Sequence, residues 1–166
     1  MKSQDKLLIG IVVGLVLLIV VAILAVVARP EETYLPDDSP ENIVHNYLLA
    51  LQMDDNPRAY GYLSPRLPDY PLSLAEFEFD LASNTYEFRD VRDATFSVRR
   101  ADPQTDDHAT VPVVRSRYYG GDIFESGQSI SSFSFELELI DGKWKIVSGD
   151  DYFLLCWTGQ TYSKRC

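Results

Sequence analysis

The stretch FSFELELIDGKWKI, residues 133–146, reads as two strands joined by a tight turn. Phe133, Phe135, Leu137 and Leu139 alternate with Ser134, Glu136 and Glu138, the period of a half-buried strand. Asp141-Gly142 supplies the two residues that tolerate the left-handed backbone of a type I′ turn. A two-residue loop sets Ile140 opposite Lys143, Leu139 opposite Trp144 and Glu138 opposite Lys145. Leu139 and Trp144 are expected on the core face, and Glu138 and Lys145 as a pair on the solvent face. A slip of one residue would turn Trp144 out to water, so the register is well specified.

Upstream of this hairpin the chain alternates from about Thr85. Ala94, Phe96 and Val98 suggest one strand, and Ala109, Val111 and Val113 begin another. Pro112 cannot donate to a ladder, which places it at an edge or a bulge. Residues 101–107 read as an acidic turn, and Gly120-Gly121-Asp122 with Ser126-Gly127 brackets a loop. Before residue 85 the period is helical. Ser39-Pro40-Glu41 is a helix start, and Ile43, Val44, Tyr47, Leu48 and Leu51 form its apolar stripe. Asn56-Pro57 opens a short second helix with Ala59, Tyr60 and Leu63. Ser73 with Glu76 has capping-box spacing and opens a third, running to about Leu81 with Leu74, Phe77 and Leu81 inward.

Helices followed by antiparallel strands make an α+β domain. Ser39-Pro40-Glu41-Asn42-Ile43-Val44, Tyr47-Leu48-Leu49-Ala50-Leu51, Ala59-Tyr60, Leu63-Ser64-Pro65, Ala109-Thr110-Val111 and Asp141-Gly142-Lys143-Trp144-Lys145-Ile146 together resemble the nuclear-transport-factor-2-like superfamily in its membrane-tethered bacterial form. The resemblance covers about residues 39–150. It implies a cone of three helices packed on a curved antiparallel sheet, with room for an internal pocket. Members include isomerases, cyclases, dehydratases, transport adaptors and extracytoplasmic domains without known activity, so the fold does not give a function. Enzymes of the superfamily place an Asp or His, often with a Tyr, inside the cone. Here the matching positions are mostly apolar: Phe96, Val98, Val111, Phe135, Leu137, Leu139 and Ile146. Residues 152–166 extend past the usual last strand, to add an edge strand or to plug or cover the cone mouth.

Ahead of the domain, residues 7–28 read LLIGIVVGLVLLIVVAILAVVA, with no charged or polar side chain. As a helix this run is roughly 33 Å long, about one bilayer core. Lys2 and Lys6 precede it, while Glu31, Glu32, Asp37 and Asp38 follow Arg29. Basic residues favour the cytoplasmic side, so residues 1–6 are expected inside the cell, 7–28 as a signal anchor, 29–38 as a linker and 39–166 outside. A cleaved signal peptide ending at Val26-Val27-Ala28 is the rival, but its apolar region would be ~7–15 residues, shorter than this run. Gly10 and Gly14 stand at GxxxG spacing, which lets two membrane helices pair and would make a homodimer.

The chain carries 15 Lys and Arg against 25 Asp and Glu. Without Lys2, Lys6, Arg29 and Asp5 the outer part stands at −12, which argues against binding nucleic acid or docking on anionic lipid. Cys156 and Cys166 are close enough in sequence to pair in an oxidising compartment, closing a short loop worth about 2–3 kcal/mol. Their spacing fits no zinc site.

Few residues suggest chemistry. His45 borders the apolar stripe, and His108 sits beside Asp106 and Asp107. Asp54/Asp55, Asp106/Asp107 and Asp150/Asp151 lack the spacing of a calcium loop, so no metal and no cofactor is expected. Asp150/Asp151 follows the Trp144 strand toward the cone mouth. Tyr47, Tyr60, Phe77, Phe96, Phe135 and Trp144 either line a pocket for an apolar ligand or fill the core. The resulting expectation is a tethered, non-catalytic interaction or scaffold domain with an envelope protein as partner. The alternatives are a small-ligand binder using the aromatic cone and an isomerase- or dehydratase-type enzyme with His45 or Asp150 as base.

Overall fold

The computed structural model describes residues 3–27, 33–120 and 126–159. Residues 1–33 and 34–166 form two compact units.

In the first unit, α1 (Ser3–Val27) is one helix through the apolar run. Its side chains are described for residues 9–24, all of them exposed. Among the described residues, no helix is long and apolar enough to cross a membrane. The expected span, 7–28, reaches past residues 9–24, whose side chains are described, at both ends. A Cβ built at Gly10 or Gly14 meets open space.

The second unit begins before the expected helix start, because residues 34–38 are tied down instead of running free as linker. Asn46, wholly buried on α2 (Pro40–Gln52), donates to the carbonyl of Leu35 at 2.7 Å and accepts its N–H at 2.8 Å. The same amide donates to Asp37 at 2.7 Å. Tyr34 donates to Asp55 at 2.9 Å, under the guanidinium of Arg58 at 3.6 Å from its ring centre. A polar side chain buried this way is costly once its partners are lost. Asn46→Ala is therefore expected to destabilise the domain by about 1–3 kcal/mol and to expose residues 34–38 to proteolysis, both measurable by urea unfolding and limited digestion.

The helix starts are as the capping residues imply. Ser39 accepts from the N–H of Asn42 at 3.3 Å, and Ile43, Val44, Tyr47, Leu48 and Leu51 are buried. Asp55 caps α3 (Asn56–Tyr62). Ser73 accepts from Glu76 N–H at 3.2 Å, while the Glu76 carboxylate reaches back to Leu72 N–H at 2.7 Å and opens α4 (Leu74–Ser83). A further short helix, α5 (Thr85–Phe88), occupies residues expected to begin the alternating region. Tyr86 is exposed there and Phe88 packs on the core, but four residues are too few for period alone to separate a helical turn from a strand.

The sheet holds β1 (Thr95–Val98), β2 (Asp102–Thr105), β3 (His108–Gly120), β4 (Ser126–Ile140) and β5 (Lys143–Gly149). Its order is β1-β3-β4-β5, all antiparallel, with β2 also paired to β3. The expected acidic turn at 101–107 is thus mostly strand, reversing only at Asp106-Asp107, where Thr105 donates to the Asp107 carboxylate at 2.6 Å. Pro112 lies inside β3, opposite Ser134 of β4 on one side. On the other it lies in the gap between the Val98 rung of β1 and the Asp102 rung of β2, where its carbonyl accepts from the Arg99 N–H at 2.8 Å. It is tolerated because β1 ends at Val98, opposite Val113, and asks for no donor there.

The 133–146 hairpin has the expected turn, with φ of 50° at Asp141 and 75° at Gly142, and the expected register. Two cross-strand pairs differ in their side chains. Leu139 and Trp144 pair at the last rungs, where Leu139 is exposed and Trp144 half-buried, while Leu137 and Ile146 hold the core. Glu138 and Lys145 are opposite each other but bond elsewhere: Glu138 meets His108 Nε2 at 3.1 Å, and Lys145 donates to the Gly61 carbonyl.

Residues 152–157 form no edge strand. Tyr152, Phe153, Leu154 and Trp157 are buried, the last on a 3-10 turn (Leu155–Thr158). Trp157 packs on Phe77 and Phe153 with ring centres 5.6 and 5.1 Å away. Its Nε1–H donates to buried Asp80 at 2.9 Å. Burial raises the pKa of the Asp80 carboxyl, partly opposed by the indole N–H. A raised folded pKa means that ionisation weakens the folded state, so this stabilisation is fully present below the unfolded pKa and lost as pH rises through the folded one. Asp80→Asn keeps an acceptor for the indole and removes the charge. Its stability relative to the parent is expected to improve as pH rises through the carboxyl range, read from melting temperatures between pH 3 and 7.

Candidate functional site

The odd positions of β3 face the helices. Ala109, Val111 and Val113 are buried, and the same face continues outward as Arg115 and Arg117. On β4 the partners change in step: Leu137, Phe135 and Phe133 give way to Ser131 and Ser129. The inner face of the sheet therefore turns from apolar to polar along its length. Over the polar end lies a cleft of about 370 Å³, bounded by α5 and the turn after it, by β3 and β4, and by the segment after β5.

Arg115 organises this cleft. Its Nε–H donates to Ser131 Oγ at 3.0 Å, and Nη1 donates to Asp151 at 2.6 Å and to the Tyr152 hydroxyl at 3.0 Å. Beside it Arg117 pairs with Asp90, which also lies 3.6 Å from Arg89. These side chains are only about a quarter exposed for Arg115, Asp151, Arg117 and Asp90, so the pairs are less screened than surface ones. Tyr86 stands exposed at the rim under the Arg89 guanidinium, 4.9 Å from its ring centre.

Tyr152 joins the cleft to the core at a backbone φ of 54°, unusual for a bulky residue. It is held on several sides. Its N–H donates to the Asp151 carboxylate at 3.0 Å, its carbonyl accepts from buried Tyr47 at 2.8 Å, and its ring packs on Phe96 and Phe133. Such strain costs about 1–3 kcal/mol and persists where surrounding contacts over-determine it. Burial raises the Tyr152 phenol pKa, against the lowering effect of Arg115. The hydroxyl is thus a neutral group beside a guanidinium. The cleft presents hydrogen-bond donors and acceptors of both charges to a polar group.

The six aromatics that either line a pocket or fill the core pack into one cluster. Tyr47, Phe77 and Phe135 are fully buried, and Tyr60, Phe96 and Trp144 pack partly buried against the same cluster. Tyr47 meets Phe135 edge-on at 5.6 Å, and Tyr60 meets Phe77 at 5.6 Å. None of the six lines the polar cleft or a second cleft of about 380 Å³ between α4, α5 and the end of α2. They fill the core.

Asp150 and Asp151 do reach the cleft. Asp150 also accepts from the N–H and hydroxyl of Ser134, at 2.9 and 2.7 Å. Neither histidine lines it. His108 bridges Asp107 and Glu138 at the β2–β3 turn, and both carboxylates raise its pKa. Among the described residues no group of three His, Cys, Asp or Glu is placed to hold a metal ion. Cys156 is on the 3-10 turn, and Cys166, its expected disulfide partner, lies outside the described residues. Arg115, Arg117 and Asp90 were not anticipated. The signal for the two arginines is the unbroken alternation Val111, Val113, Arg115, Arg117, which keeps one face while changing polarity.

No family model matches the sequence, and no curated protein does. Solved structures with a related shape include a SEC-C motif containing protein from Rhodopseudomonas palustris, 12% identical, covering 72% of this chain and 83% of that one at a TM-score of 0.48. An NTF-2 like protein of unknown function from Shewanella oneidensis is 11% identical, covering 64% and 90% at 0.40. A ketosteroid isomerase-like protein from Erwinia carotovora atroseptica is 15% identical, covering 66% and 88% at 0.42. At these scores the likeness carries no argument about family or activity.

Proposed function

We propose that this chain is a membrane-tethered interaction domain of the cell envelope, with the amino terminus in the cytoplasm and residues 34–166 outside. The tether is the apolar run 7–28, and the orientation follows from Lys2 and Lys6 before it and the acids after it. The domain is of the nuclear-transport-factor-2-like kind, closed by a Cys156–Cys166 disulfide, and works without catalysis as a scaffold or accessory to an envelope protein.

One observation carries this reading. Tyr152, Phe153, Leu154 and Trp157, from the chain's own end, are buried in the same cluster as the apolar inner face of the sheet. An apolar ligand would have to displace them. The mutual packing of Tyr47, Phe135, Tyr60 and Phe77 likewise counts against a binder built on the aromatic cone. What the domain offers to others is its exterior.

The test is topology. Full-length chain fused at its carboxyl end to alkaline phosphatase is expected to be active and to stay with membranes after alkaline carbonate washing, while a green fluorescent protein fusion at the same end stays dark. A fluorescent fusion with inactive phosphatase, or release by carbonate, would overturn the tethered reading.

A further inference from the structure

The β3–β4 ribbon is longer than the sheet around it. β5 pairs with β4 only from Ile140 to Phe135. Asp150 then adds one rung: its N–H donates to the Ser134 carbonyl at 3.0 Å, and its carboxylate takes the Ser134 N–H at 2.9 Å. Ser134 therefore directs its backbone groups away from β3. The β3–β4 register runs unbroken from His108↔Glu138 to Gly120↔Ser126. Backbone direction alternates along an antiparallel strand, so Ser132, Ile130 and Gln128 point their N–H and C=O groups the same way. Among the described residues these groups have no backbone partner.

An open edge of this kind is usually blunted by lysine, proline, a bulge or a covering segment. Residues 126–134, SGQSISSFS, contain no charge and no proline, and the ribbon has no bulge. Ile130 at its middle is 65% exposed, and Tyr118 on the neighbouring strand is 73% exposed.

We infer that this edge of β4 pairs antiparallel with the same edge of a second copy of this chain, about a two-fold axis at Ile130. Charge selects the occupant. The chain carries −10, and two copies repel except where a surface is neutral, as 126–134 is. The edge is also self-complementary. A two-fold axis at Ile130 sets Ile130 against itself, Ser129 against Ser131, and Gln128 against Ser132, uncharged residues throughout. Ile130, an exposed apolar side chain in the parent fold, gains an apolar neighbour. Three outward residues per chain supply about six backbone hydrogen bonds between copies. This pairing is independent of the GxxxG motif and of the membrane reading.

Full-length chain in detergent micelles is expected to give a dimer by native mass spectrometry and sedimentation. Ile130→Pro removes an outward N–H and leaves the β3 ladder intact, so it is expected to weaken the dimer at least about tenfold with little change in the melting temperature. The register has its own test. Gln128→Lys with Ser132→Lys sets like charges opposite and is expected to dissociate the dimer, whereas Gln128→Lys with Ser132→Glu sets opposite charges together and is expected to keep it. Gly10→Leu with Gly14→Leu is expected to leave the dimer in place. A monomeric parent would overturn the inference, including one in which hydrogen exchange shows residues 128–132 covered by the chain's own tail. So would a dimer insensitive to Ile130→Pro and to both charge pairs, or one lost only with the glycine changes.

Discussion

Trp157→Ala is expected to cost about 3–5 kcal/mol, a large part of the 5–15 kcal/mol typical of a whole domain. The indole is wholly buried between Phe77 of α4 and Phe153, so its removal leaves a cavity bounded by side chains that are themselves held. It also strips the Nε1–H from Asp80, a buried carboxyl whose charged form burial already disfavours. Trp157→Phe separates the two effects. Most of the apolar contact survives, and the remaining loss of about 1–3 kcal/mol belongs to Asp80 left without its donor. Adding Asp80→Asn to Trp157→Phe is expected to recover part of that loss. Urea unfolding followed by circular dichroism reads all three. A cost below about 1 kcal/mol for Trp157→Ala would mean that residues 152–157 are not part of the core.

Gly149→Ala is the second large effect, of about 1–3 kcal/mol or more, from adding one methyl group. A Cβ at Gly149 would lie 2.7 Å from two ring carbons of Phe135 and 2.9 Å from Cβ of Phe153. Phe135 cannot step aside, because Tyr47 and Phe133 pack edge-on against it at 5.6 and 5.7 Å. Phe153 Cβ is bound to the backbone and moves only with the segment after β5. The glycine is thus where the last strand and the returning tail close over Phe135. Gly61→Ala is the matched control. A Cβ there meets open space within α3, so the gain in helix propensity is expected to stabilise by about 0.5–1 kcal/mol. Opposite signs for the two substitutions, measured by urea unfolding, check the packing at Gly149.

The features legible in the sequence are those closed by neighbours in the chain. Ser39 caps Asn42, Ser73 caps Glu76, and Asp141-Gly142 turns on its own φ angles, so these read correctly from a few residues. The hairpin register followed from the turn alone. The features that did not read depend on distant partners. The tail at 152–157 is fixed by Trp157 to Asp80 and by Tyr47 to Tyr152, contacts spanning 77 and 105 residues. Residues 34–38 looked like linker, since nothing local shows that Asn46 holds Leu35. The polar cleft was half legible. Asp150/Asp151 reads as an acidic pair near the cone mouth, but its partner Arg115 lies 36 residues away on a strand that starts apolar and turns charged only at its far end.

Native mass spectrometry of the full-length chain, released gently from detergent micelles, tests the filled interior most directly. The expected spectrum contains whole-number multiples of the bare chain and no retained small molecule. A stoichiometric extra mass that survives release, disappears only on unfolding and proves to be an apolar molecule would contradict it, because an apolar ligand held that firmly needs the space that Tyr152, Phe153 and Trp157 occupy, whereas a polar one fits the Arg115 cleft.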